Sequence, residues 1–138
     1  MIQRVQTIWL LLASACAFLS LKLSFFSGNK VVNNVKQFES LTAQTNVLLL
    51  ILSVAVGIAA LVIIFLYKDR KMQMKIGLVT AVIAIANIVF FFSETNKFTE
   101  GKLDITAPVV FVIPVFILLA VRGIYKDEKL VKSVDRLR

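Results

Sequence analysis

Four apolar runs, separated by short polar segments, constrain this chain more than any other feature of its sequence. They lie at 8–26, 47–67, 76–92 and 107–124. A helix needs about 20 mostly apolar residues to cross the roughly 30 Å hydrocarbon core of a bilayer, and each run reaches or approaches that length. The segments between the runs are too short to hold a soluble domain. The sequence therefore predicts an all-α membrane protein, a four-transmembrane-helix bundle with residues 1–138 in a single domain.

The composition agrees with a membrane protein and leaves little room for enzyme chemistry. Hydrophobic residues make up 59% of the chain and charged residues 17%, whereas soluble domains are nearer half apolar and about a quarter charged. Histidine is absent and Cys16 is the one cysteine, so zinc, haem and histidine-assisted nucleophilic chemistry lack their usual residues. Glycine-rich phosphate loops and convergent carboxylates are also missing. We expect a non-enzymatic protein with no catalytic, cofactor-binding or metal-binding residues.

The distribution of lysine and arginine predicts the orientation in the membrane. Of the 16 basic residues, five lie near the end of the first run, between the first and second runs, or between the third and fourth: Lys22, Lys30, Lys36, Lys97 and Lys102. The remaining eleven lie near the N-terminus, between the second and third runs, or at the C-terminal end. Because cytoplasmic segments of membrane proteins are enriched in Lys and Arg, both termini are expected in the cytoplasm. The same rule accounts for the net charge of +8 without a nucleic-acid partner.

The last segment, residues 125–138, combines charge with a helical apolar rhythm. At 100° per residue its apolar residues share one arc: Leu130, Val131, Val134 and Leu137. Its basic residues lie on the opposite side: Lys129, Lys132 and Arg136. We therefore predict a cytoplasmic amphipathic helix that continues from the fourth run. This helix either lies on the anionic inner leaflet with its apolar arc down or docks that arc on a partner. Asp127 within the arc favours docking.

Asn87 is the one strongly polar side chain deep in an apolar run. A hydrogen bond to a neighbouring helix, worth about 1–2 kcal/mol, is the favoured interpretation, and a ligand site is the other. Small residues spaced by four, such as Ser53 with Gly57 and Gly77 with Ala81, predict close helix contacts. These close contacts could form between helices of one chain or between helices of two chains in an oligomer.

The two connections expected outside the cytoplasm have weak strand patterns. Residues 35–42 (VKQFESLT) alternate apolar and polar side chains, and residues 97–106 (KFTEGKLDIT) hold two short runs around Glu100 and Gly101. These connections form either a small β-structure over the outer ends of the helices or extended loops.

The start MIQRVQTIWLLLA, the layout of four runs and the ending KDEKLVKSVDRLR together resemble the domain of unknown function 4293 family. The resemblance covers the whole chain. Its most specific pieces are Met1 to Gln6 and Asp127 to Val131, with Ser133, Asp135, Arg136 and Leu137. The resemblance implies a small four-helix protein of the inner membrane of Bacteroidota-type bacteria. It implies no activity and no binding residues.

Together these features predict an accessory or scaffold subunit of a larger inner-membrane assembly, for which protein-export or envelope machinery is one candidate. The lipid bilayer is the other expected partner. The residues expected to contact a protein partner or lipid headgroups are Lys68, Arg70, Lys71, Lys75, Arg122, Lys129, Leu130, Lys132, Val134, Arg136 and Leu137. The alternative is a small transporter or a lipid- or ligand-binding membrane protein with a cavity between the helices near Asn87.

Overall fold

The computed structural model of the chain describes the backbone of residues 2–137 and the side chains of residues 5–137. This range folds into four α-helices and three strands: α1 (Ile2–Leu19), β1 (Phe26–Val32), β2 (Val35–Leu41), α2 (Val47–Phe65), α3 (Arg70–Thr95), β3 (Glu100–Leu103) and α4 (Pro108–Asp135). The predicted helical class is confirmed for most of the chain. The all-α label is corrected, because the strands form a small sheet.

The helices pack side by side in a ring that we call the helical body. Each helix packs on the next one in the chain, and α1 also packs on α4. Three alanines face inward, Ala17 of α1 with Ala81 and Ala84 of α3, and they lie in one buried cluster with Ile117 of α4. A Cβ placed on Gly77 of α3 would lie 2.6 Å from Cγ2 of Val121 on α4. Small residues therefore set how closely the helices approach within one chain.

Large apolar side chains point outward from the helical body. On every helix such residues are about half exposed or more: Ile8, Leu11, Ile51, Ile58, Val79, Val82, Val115 and Leu118. A helix at the surface of a soluble protein does the reverse and turns its polar face outward, whereas helices surrounded by lipid associate through small residues. Within residues 2–137, three helices are long and apolar enough to cross a membrane: α2, α3 and α4. The apolar part of α1, Val5–Leu19, is shorter.

The sheet joins the two longer connections of the chain. Its strand order is β2-β1-β3, and both pairings are antiparallel. The β1–β2 turn is Asn33-Asn34, with φ of 53° and 64°, the left-handed backbone that a two-residue hairpin turn requires and that asparagine tolerates. Since β1 and β2 connect α1 to α2 while β3 connects α3 to α4, both connections lie at one end of the helical body. The chain termini and the α2–α3 connection lie at the other end.

The first predicted run is corrected by the structure. Residues 8–26 were expected as one helix, but α1 ends at Leu19 and β1 begins at Phe26. The backbone of Phe25 is already tied to the sheet, since its N–H donates to the carbonyl of Leu41 at 2.7 Å and its carbonyl accepts from the N–H of Asp104 at 3.1 Å. The Phe25 ring packs on Phe91 with centroids 4.7 Å apart. The apolar residues at the end of this run therefore pack in a core beneath the sheet and do not extend the helix.

The other helix boundaries also differ from the predicted runs. Helix α3 begins at Arg70, so most of the basic connection is its first turns. Helix α4 runs without interruption from Pro108 to Asp135, which joins the fourth apolar run and the amphipathic segment in one helix. The two β-capable connections do form strands, at Val35–Leu41 and Glu100–Leu103.

Replacing Gly28 by valine is expected to detach β3 from β1. A Cβ at Gly28 would overlap the backbone carbonyl oxygen of Glu100, and backbone atoms cannot turn away as a side chain would. Overpacking of this kind costs about 1–3 kcal/mol, so the thermal unfolding midpoint in detergent should fall and amide exchange at residues 100–103 should rise. Ser40→Val, which adds the same side chain on the exposed edge strand β2, is the matched control. Equal midpoints for the two variants would show that β1 and β3 do not pack this closely.

Candidate interaction surface at the basic end

The end of the helical body opposite the sheet carries most of the charge, and we call it the basic end. Its described basic residues are Lys68, Arg70, Lys71, Lys75, Arg122, Lys126, Lys129, Lys132 and Arg136, and its acidic residues are Asp69, Asp127, Glu128 and Asp135. The sheet end is nearly balanced: its lysines are Lys22, Lys30, Lys36, Lys97 and Lys102, against Glu39, Glu94, Glu100 and Asp104. The fold therefore brings every contact residue predicted from the sequence, apart from Asn87, to one end of the molecule.

The α2–α3 connection presents its lysines to the surroundings. Asp69 caps α3 by accepting a hydrogen bond from the N–H of Met72 at 3.1 Å, which holds the connection short. Lys68 and Lys71 are exposed, and Arg70 is half-buried. Because basic residues in the first turn of a helix oppose the helix dipole, these side chains do not stabilise α3.

A hydrogen-bonded junction at Asp127 ties three helices together. Nε2 of the buried Gln6 on α1 donates to Oδ2 of Asp127 on α4 at 2.7 Å. Nη1 of Arg70 on α3 donates to the backbone carbonyl of Asp127 at 3.4 Å. One turn earlier, a Cβ on Gly123 would lie 2.8 Å from Cγ of Gln6. These contacts hold α4 firmly at the point where it leaves the helical body.

Beyond this junction lies a segment that we call the tail (residues 128–137), which is helical as far as Asp135. Ile124 is the last strongly buried residue of α4, at 1% exposure, and at 1.5 Å per residue the helix extends about 16 Å further to Asp135. Nζ of Lys132 and Oε1 of Glu128 form an i,i+4 ion pair at 2.8 Å, an arrangement that supports a helix. Lys126, Lys129, Leu130 and Ser133 line an open cleft of about 310 Å³.

The tail exposes an apolar face, which we call the tail stripe: Leu130, Val131, Val134 and Leu137. Their exposed fractions are 53%, 46%, 63% and 89%. Leu130, Val134 and Leu137 follow Gly123 and Asp127 at steps of three or four residues, the spacing that keeps residues on one face of a helix. Gly123 and Asp127 contact Gln6 of α1. The tail stripe is therefore a continuation of the face of α4 on which α1 packs.

Asn87 lies away from the basic end, inside the helical body. It is 2% exposed, and its Nδ2 donates to Oγ of Ser53 on α2 at 3.0 Å. Its Oδ1 has no hydrogen-bond partner among the described residues. Two further buried polar bonds link helices: Ser14 Oγ donates to the carbonyl of Gly57 at 3.1 Å, and Gln73 Nε2 donates to that of Ile63 at 2.9 Å.

The sequence did not predict that Gln6 binds Asp127, or that Asp127 helps to fix α4 against α1. The available signal was the position of Asp127 in an otherwise apolar arc, because an acidic residue there needs a polar partner when the arc is covered. Its partner lies 121 residues away, beyond the reach of any local pattern. In the described part of the chain, no group of three or more His, Cys, Asp or Glu residues is placed to hold a metal ion.

Comparison with known proteins places this fold in a family. Residues 2–137 match the family model described as Domain of unknown function (DUF4293). The chain belongs to that family. Searches of curated proteins and of solved structures gave no match. The DUF4293 match spans the helical body, the sheet and the tail, so the tail is part of the family's domain and not an appendage to it.

In this DUF4293 chain, Asp127→Ala is expected to loosen the tail. The substitution leaves the buried donor of Gln6 without its acceptor, at a cost of about 1–3 kcal/mol. Amide exchange over residues 125–135 should accelerate, and the thermal unfolding midpoint should fall. Asp127→Asn keeps an acceptor oxygen for Gln6 and should restore protection. Asp135→Ala removes an exposed acidic residue from the same helix, and identical exchange in Asp127→Ala and Asp135→Ala would contradict the junction.

Proposed function

We propose that this protein spans the bacterial inner membrane four times, with both termini in the cytoplasm. The apolar outer surface of the helices supports this proposal, as does the absence of Asp, Glu, Lys and Arg from residues 105–121, 76–93 and 47–67 of the sequence. The apolar part of α1, Val5–Leu19, extends about 22 Å, which is less than the thickness of the hydrocarbon core, so α1 is the weakest of the four proposed spans. Positive charge concentrates on the cytoplasmic side of membrane proteins, which assigns the basic end to the cytoplasm and the sheet to the opposite side.

The function that the geometry supports best is that of a non-enzymatic accessory or scaffold subunit of a larger inner-membrane assembly. The observation that carries it is the tail stripe, an apolar face held in position by the Asp127 junction with nothing described against it. Exposed apolar surface is unfavourable by about 25 cal/mol per Å², so a partner that covers the stripe gains free energy. The basic end would then be the docking face, and export or envelope machinery is one candidate class of partner.

The continuity of α4 favours a protein partner for the tail over the membrane surface. A tail that lies on the leaflet must turn sharply away from the axis of a membrane-spanning helix. Such turns occur at proline, at glycine or serine pairs or at helix distortions, and α4 is unbroken between Ile124 and Asp135. The tail therefore projects away from the bilayer.

A small transporter or ligand-binding membrane protein has less support. Its proposed polar cavity near Asn87 is where Asn87 and Ser53 bind each other.

Cysteine labelling tests the orientation. In a Cys16→Ser background, Lys36→Cys in the sheet and Lys71→Cys at the basic end each place one thiol at an exposed position. A membrane-impermeant maleimide added to spheroplasts should label the cysteine at position 36 and should reach position 71 only after the membrane is permeabilised. Labelling of position 71 before permeabilisation would reverse the proposed orientation.

Co-purification from native membranes tests the docking function. Crosslinked full-length protein should retain one or more inner-membrane proteins that are lost from a variant truncated after Tyr125, because the truncation removes the whole tail stripe. Lys102→Glu, altered at the sheet end, should retain the same partners as the full-length chain. Recovery of a free monomer alone after crosslinking would exclude a stable assembly, and an unchanged set of partners after truncation would exclude the tail as the docking element.

A further inference from the structure

We infer that the tail stripe receives an acidic amphipathic helix of another protein, which seats its apolar face on the stripe and turns acidic side chains toward the lysines of the basic end. This inference rests on the proposed docking function and specifies the chemistry of the partner. It is carried by the direction of the stripe, by the charge around it and by the fixed junction at its base.

The packing of α1 on α4 indicates what kind of surface the tail stripe presents. Near Gly123 and Asp127, the same face of α4 is covered by a helix, because Gln6 of α1 contacts both residues. Past Asp127 this face continues as Leu130, Val134 and Leu137, all more than half exposed. The stripe repeats the helical spacing of the part of this face that α1 covers, and ridges of that spacing can pack against a second helix. Recognition of an amphipathic helix by an apolar groove uses this geometry.

The charge around the stripe selects the sign of the partner. Nη1 of Arg70 binds the carbonyl of Asp127 at the base of the tail, which places the first turn of α3 beside the stripe. Lys68 and Lys71 flank Arg70 in the sequence and are exposed. Charge complementarity around an apolar contact accelerates association and suppresses wrong partners. The basic residues of this end outnumber its acidic ones, Asp69, Asp127, Glu128 and Asp135, so a helix with glutamate or aspartate beside its apolar face fits this site better than a basic helix does.

Two other occupants fit less well. A second copy of this chain, packed stripe to stripe, would bring two basic ends together, and like charges across an interface are strongly unfavourable. An anionic bilayer matches the charge, but Leu130 and Val134 stand roughly 9 and 15 Å beyond Ile124 along an unbroken helix. The observations therefore favour a protein helix over both.

The test uses the full chain in nanodiscs of phosphatidylcholine, a lipid without net charge, and two labelled probe peptides. Both peptides are amphipathic helices with the same leucine face; one carries glutamate on the flanks and the other lysine. Fluorescence anisotropy should show the glutamate peptide binding at least about tenfold more tightly. Its affinity should fall with added salt, since exposed charges are screened. Equal affinities, tighter binding of the lysine peptide or no binding of either would overturn the inference.

Variants locate the binding site. Val134→Glu places a carboxylate in the stripe and should abolish binding of the glutamate peptide, whereas Arg136→Glu on the opposite side of the tail should weaken it far less. Lys68→Glu combined with Lys71→Glu should weaken binding about tenfold or more. Lys102→Glu, the same charge reversal at the sheet end, should leave binding unchanged. Equal losses from the stripe variant and the sheet-end variant would place the peptide elsewhere.

The remaining outcomes separate this inference from the docking function. A tail-dependent dimer in mass photometry would assign the stripe to a second copy. Protection of a fluorophore at position 134 by phosphatidylglycerol nanodiscs alone would assign it to lipid. If truncation after Tyr125 removes a native partner but the glutamate peptide does not bind, the docking function stands and the acidic helix is wrong. If truncation removes no partner, the docking function itself falls.

Discussion

The apolar outer surface of the helices is the constraint on which the rest of this structure depends. Lipid chains are as apolar as leucine, so helices in a membrane gain little by burying large side chains against each other. The closest helix contacts accordingly use small residues: Gly77 admits Val121, and Ala17, Ala81 and Ala84 share one buried cluster. Larger buried side chains such as Leu49 and Ile63 fill the remaining interior. Charged side chains have no place along the apolar outer surface. They lie at the two ends of the described molecule, which are therefore the parts that can bind a partner through charged groups.

The few polar bonds inside the helical body follow from the same constraint. Away from water, a buried polar group is costly unless it finds a partner within the protein. Asn87 meets Ser53, Ser14 meets the carbonyl of Gly57, and Gln73 meets that of Ile63. Interhelical hydrogen bonds of this kind average about 0.6 kcal/mol each. They therefore contribute little to stability and mainly determine which faces of the helices pack together. The bond from Nδ2 of Asn87 is structural in this sense, while the buried Oδ1 of the same side chain has no hydrogen-bond partner among the described residues.

The two ends differ because the connections differ. At the sheet end, two connections meet in one sheet over an aromatic core of Phe25, Phe91 and Phe111, and that end has nearly balanced charge. At the basic end, the α2–α3 connection is short and α4 continues alone. The Asp127 junction converts this continuation from a loose extension into a positioned surface. The match to DUF4293 over residues 2–137 includes both ends of the molecule.

The sequence by itself determined the features that depend on local pattern: the apolar runs, the uneven placement of Lys and Arg, and the opposed apolar and basic sides of the tail. Each is readable because helical periodicity and charge are properties of neighbouring residues. The weak alternation at 35–42 and 97–106 could not distinguish a strand from a loop. A strand is stable only when another strand pairs with it, and pairing is not a property of neighbouring residues.

Only the tertiary structure showed that Phe25 and Phe26 lie at the sheet and not in α1. A continuous apolar run has the same sequence pattern whether it extends a helix or enters a sheet. The tertiary structure also decided that Gln6, Arg70 and Asp127 meet, since 121 residues separate Gln6 from Asp127. The direction of the tail stripe was settled in the same way. Periodicity places Leu130, Val134 and Leu137 on one face of a helix, but only the contact of Gly123 and Asp127 with α1 shows which way that face points.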